Sequence, residues 1–151
     1  MKKANQGIIL AGSLVSTLVA SLALSAVVMA EPFDGDKIML CANQYASECV
    51  AGTDCVNVTP GSVNLPNFFQ INTGEKLISA APESGLTSTT TIERVEHLDG
   101  KLMLQGADDG IKDVRDGAGW TMSINEATGQ MVMTTAGDGF AVVIFGACTL
   151  R

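Results

Sequence analysis

Met131 and Met133 are separated by one residue, so on a β-strand their thioethers share a face. Trp120 and Met122 sit on the run before them and face the same way if the two runs pair in register. Soft thioether sulfur selects Cu(I), and His97, the single histidine, could add an imidazole. Met131, Met133, Met122, Trp120 and His97 are therefore a candidate metal set. The competing expectation is that the methionines fill the core beside Trp120, as flexible thioethers commonly do. Nothing in the sequence places His97 beside them, and the core reading is preferred.

Other chemistry is thinly represented. A hydrolytic triad needs a nucleophile, a base and an orienting carboxylate. His97 precedes the turn signal Asp99-Gly100, where side chains are usually solvated, and no G-x-S-x-G elbow occurs. The acidic stretch from Asp108 to Gly117 has the oxygen ligands that Ca²⁺ prefers. It lacks the spacing of a calcium loop, and Lys112 and Arg115 can balance its charge, so a solvated loop is expected. These absences favour a non-catalytic protein with no cofactor, and catalytic residues are not assigned.

Cys41, Cys49, Cys55 and Cys148 make an even set without C-x-x-C. With one histidine and no such pair, a zinc site is disfavoured and two disulfides are expected. Four cysteines allow three pairings. The short spacing across Gly52 suits Cys49–Cys55, and Cys41–Cys148 would follow if the first and last strands are neighbours.

Disulfides imply an oxidising compartment, and the start of the chain agrees. Lys2 and Lys3 precede an uncharged run that ends in Val28-Met29-Ala30. A cationic start, an apolar stretch and a small-x-Ala end form an export signal over residues 1–30, leaving 31–151 as one domain. A retained anchor is the alternative, since the run is long enough to span a bilayer. No cysteine lies at its end to take a lipid. With 16 acidic against 9 basic residues the net charge is −7. That excess disfavours nucleic acid and anionic membrane surfaces, which call for Lys/Arg stripes. A periplasmic or secreted monomer, off the membrane once the signal is cleaved, is expected.

The elements that must position these residues read as strands. Trp120, Met122 and Ile124 alternate with Thr121, Ser123 and Asn125, the pattern of a half-buried strand. Asp99-Gly100 between Thr89–Leu98 and Lys101–Gln105 marks a two-residue hairpin with both turn residues at positive φ. Gly74, Gly100 and Gly129 each precede a polar residue and an apolar run, suggesting three successive hairpins. Lys37–Cys41 and Phe140–Cys148 add a first and a last strand, and Phe140–Phe145, apolar on both faces, should be central. The expected fold is all-β, an antiparallel meander of about eight strands forming a small barrel or sandwich.

The stretches Phe33–Ala42, Asn64–Phe69 and Phe145–Thr149 resemble small exported proteobacterial β-proteins of unknown activity. In architecture the chain also resembles periplasmic lysozyme inhibitors of the membrane-bound C-type class, small antiparallel barrels with a disulfide joining early and late strands. The inhibitory loop of that family is not matched, Ser84-Gly85 being the nearest fragment. The leading functional expectation is a non-catalytic binding or inhibitory module of the cell envelope, with an envelope protein or small ligand as partner. Metal handling through the Met/Trp cluster is the alternative.

Overall fold

The computed structural model describes residues 30–110 and 113–151. The expected export segment, residues 1–30, therefore lies almost wholly outside the described residues. Ten strands form one antiparallel sheet: β1 (Met39–Val50), β2 (Val56–Val58), β3 (Phe68–Asn72), β4 (Leu77–Ala80), β5 (Thr89–Thr91), β6 (Arg94–His97), β7 (Lys101–Asp108), β8 (Ala118–Asn125), β9 (Gln130–Gly137) and β10 (Phe140–Leu150). Helix is confined, among the described residues, to 3-10 turns at Pro60–Val63 and Pro82–Ser84. No helix there is long and apolar enough to cross a membrane.

The strand order is β5-β4-β3-β1-β10-β9-β8-β7-β6, with β2 paired on β1. The two ends of this path, β5 and β6, are consecutive in the chain. Ile92 N–H donates to the Lys76 carbonyl at 2.9 Å on one side of them, and Glu93 N–H to the Gln105 carbonyl at 2.8 Å on the other. The sheet thus curls into a half-barrel whose ends meet along Thr89–His97. One curled sheet, not two stacked ones, decides between barrel and sandwich. Counting β5 and β6 as one interrupted run and setting the short β2 aside reconciles ten strands with the expected meander.

Gly106 makes this seam possible. A Cβ there would lie 2.4 Å from both the Thr91 carbonyl oxygen and Cζ2 of Trp120. Only a bare backbone lets β7 accept the approach of β5 and the indole together.

Alternation places one face of the longer strands inside. Leu102 and Leu104 of β7, Trp120, Met122 and Ile124 of β8, and Met131 of β9 are buried, as are Val142 and Ile144 of β10. Each side chain fully withdrawn from water stabilises the fold by about 1.5–3 kcal/mol. β10 is central, paired with β1 and β9. Its outward Phe145 is nonetheless exposed and packs on Tyr45, ring centroids 5.9 Å apart.

The strands are joined at one end by tight turns, and that end forms the base. Asp99 (φ 51°) and Gly100 (φ 69°) make the expected two-residue hairpin. In the β3–β4 turn the left-handed position falls on Lys76 (φ 54°), not on Gly74. The segment before β1 runs under this base. Phe33 N–H donates to the Glu126 carbonyl at 2.8 Å, and its ring packs against the core. Thr73 Oγ1 donates to the Gly35 carbonyl.

Both disulfides form, Cys41–Cys148 across the β1–β10 pair and Cys49–Cys55 across the loop to β2, leaving no free cysteine among the described residues. Cys41 and Cys148 are directly opposite in the register, so strand pairing itself brings them together.

Candidate functional site

The strand ends opposite the base open into a cavity of about 560 Å³. Its walls are Phe69 and Ile78 from β3 and β4, Trp120 and Met122 from β8, Met133 and Thr135 from β9, and Phe140 and Val142 from β10. The segment Ser62–Pro66 forms one rim, and Ser88–Thr90 with Asp108, Gly110 and Asp116 forms the other.

A β-bulge in β1 shapes this mouth. Between Asn43 and Tyr45 the register against β10 slips, Gln44 being the extra residue. Below it Met39 and Cys41 are buried and Asn43 lines the cavity; above it Ala46 is buried and Glu48 lines the cavity. The insertion reverses strand parity and re-aims the upper half of β1. Gly146, opposite Asn43, admits the kinked backbone: a Cβ there would lie 2.2 Å from the Ala42 carbonyl oxygen.

A small polar set is fixed within the apolar wall. Asn43 Nδ2 donates to the Pro66 carbonyl at 2.8 Å, tying the rim segment to β1. Trp120 Nε1 donates to Thr90 Oγ1 at 3.1 Å, and that hydroxyl donates to the Ala107 carbonyl at 3.2 Å, so the indole is held across the seam. Asn43 Oδ1 and Thr135 Oγ1 are buried in this wall without a hydrogen-bond partner among the described residues. Buried polar atoms are ordinarily bonded, so both have capacity for a guest.

The candidate metal set divides. Met122 stands opposite Met133, Trp120 opposite Thr135, and Ile124 opposite Met131, so the three methionines and the tryptophan share the inner face. Met122 and Met131 are fully buried, and Met133 is half-buried beside the cavity. His97 lies at the base, half-exposed, with Nδ1 2.6 Å from Oε1 of Glu126 in the β8–β9 turn. It is thus placed apart from the cavity that Met122 and Met133 line, while Met131 lies in the same cross-strand row with β7 and β8 between. Among the described residues there is no group of three or more His, Cys, Asp or Glu side chains suited to a metal ion. In the acidic loop, whose Ile111 and Lys112 fall outside the described residues, Asp108 accepts from Gly110 N–H at 2.8 Å.

Sequence reasoning missed Asn43, Glu48 and Thr135 as lining residues. One signal was available: Glu48 is the sole charged residue between Ile38 and Thr53. Its inward orientation depends on the bulge, which no local pattern announces.

No family model, curated protein or solved structure matches the chain. The functional reading therefore rests on the cavity itself.

Proposed function

We propose that the protein is an exported, non-catalytic binding module of the cell envelope that takes a small, largely apolar ligand into the mouth of its half-barrel. The cavity carries this reading. Its volume falls within the roughly 300–1,000 Å³ of small-molecule sites, and mouths of curled β-sheets are frequent positions for them. The wall has the usual composition of such sites, aromatic and aliphatic with a few fixed polar atoms. No His, Cys or Lys stands among the described lining residues to activate a nucleophile. The two disulfides and the apolar leader ending at Ala30 support an extracytoplasmic setting.

Trp120 is the one tryptophan and lines the cavity, so its fluorescence reports occupancy directly. Titration of the mature chain with a medium-chain alcohol such as decanol is expected to give a saturable emission change. Ile78→Trp, which fills the mouth, should abolish binding, judged by equilibrium partitioning of radiolabelled decanol. His97→Ala, at the base, should leave the titration unaltered. A strictly linear, non-saturating response of the native protein would end the proposal.

The pairing of Met122 with Met133 favours a second reading, Cu(I) handling by the thioethers and the Trp120 ring. Anaerobic Cu(I) competition with a chromogenic chelator tests it. The reading requires affinity tighter than micromolar that is lost in Met133→Leu, and weaker binding excludes it.

A further inference from the structure

Glu48 is the one charge in a long uncharged stretch, and on an unbroken strand it would face outward, since Met39, Cys41 and Asn43 face inward. The extra residue Gln44 turns it inward, opposite the buried Val142. A carboxylate on the inner face of a sheet carries a desolvation cost unless something offsets it. Glu48 is half-buried, and its carboxylate makes no hydrogen bond or ion pair among the described residues. Asp108, which accepts from Gly110 N–H, adds a carboxylate at the far rim. None of the described lining residues is Lys, Arg or His. The remaining wall presents the rings of Phe69, Trp120 and Phe140, which can cushion an organic cation through their π-faces.

We propose that the mouth selects a hydrophobic organic cation, an amine or quaternary ammonium with an apolar body, whose charge is met by Glu48. This rests on the ligand-binding reading above. A bare metal ion fits less well, because the carboxylates do not gather into a chelating group among the described residues. An anionic amphiphile would meet repulsion from Glu48.

The test compares decyltrimethylammonium, decanol and decanoate, each below its micelle concentration, by Trp120 fluorescence. The cation is expected to bind up to about fivefold tighter than the alcohol, as a partly exposed charge pair allows. Decanoate is expected to bind weakest. Added salt should weaken the cation and not the alcohol, because screening acts on charge alone. Glu48→Gln should lower the affinity for the cation to that for decanol, and Glu48→Asp should restore part of the difference. Equal binding of cation and alcohol by the native protein overturns the inference while leaving a neutral-ligand module standing. So does a cation advantage that survives Glu48→Gln, or a preference for decanoate. Failure of all three to bind overturns both readings.

Discussion

Replacing Cys41 and Cys148 together by alanine is expected to lower the unfolding free energy by about 4–5 kcal/mol. The two residues are 107 apart in sequence, and a cross-link closing so long a loop removes much of the freedom of the unfolded chain. The same chain-entropy relation gives only about 2 kcal/mol for Cys49–Cys55, whose separation is 6. Domains are commonly stable by about 5–15 kcal/mol, so the long-range bond decides whether a wide margin remains. Urea unfolding of the two double variants measures the contrast directly. A loss at Cys49/Cys55 equal to or larger than that at Cys41/Cys148 would contradict the assignment. The pairing of β1 with β10 does not depend on sulfur, because its register runs from Met39–Leu150 to Val50–Phe140. The long-bond variant should therefore keep its strand spectrum in water and unfold at lower denaturant.

Trp120→Ala is expected to cost about 3–5 kcal/mol, the range for deleting a large buried aromatic side chain. Trp120 is only 5% exposed, its indole covers Gly106, and its Nε1 donates to Thr90 across the line where the sheet meets itself. The truncation removes core packing and loosens the seam in one step. Trp120→Phe keeps most of the ring contact but removes the hydrogen bond to Thr90, whose hydroxyl still donates to the Ala107 carbonyl, and should cost about 1 kcal/mol beyond the lost area. Equilibrium unfolding followed by circular dichroism reads both, since the fluorescent probe is gone. A cost below about 1 kcal/mol for the alanine variant would mean that the indole is a movable cover and not part of the core.

Both sites show how far local pattern carries. The strand of Trp120, Met122 and Ile124 was legible because alternation between polar and apolar residues is itself the signature of a sheet with one wet face. The hairpin at Asp99-Gly100 was legible because two successive left-handed residues are a local demand. The pairing of Cys41 with Cys148 follows from the neighbouring of the first and last strands, which local pattern leaves open. The upper half of β1 was not legible. Gln44 to Val50 mixes small, polar and cysteine residues without a steady period, because the bulge resets the parity midway. The cavity was hidden for the same reason, since Asn43 and Glu48 lie five apart and share a face only across that irregularity. The break between β5 and β6 was invisible as well: Thr89–Leu98 reads as one strand, and it divides because its two halves pair with different neighbours. The separation of His97 from Met131 is likewise a property of the whole sheet: the two share a cross-strand row but stand on β6 and β9, with β7 and β8 between them.

The bond that joins Cys41 to Cys148 has a consequence for survival under proteolysis. Every loop around the mouth beyond the first strand lies between those two residues. A protease that cuts once in the segments after β2, β4 or β7 severs the backbone but releases no fragment, because the pieces stay tethered through sulfur. Such a nicked molecule retains both partners of each strand pair, and the exposed rim can be scarred without the protein falling apart.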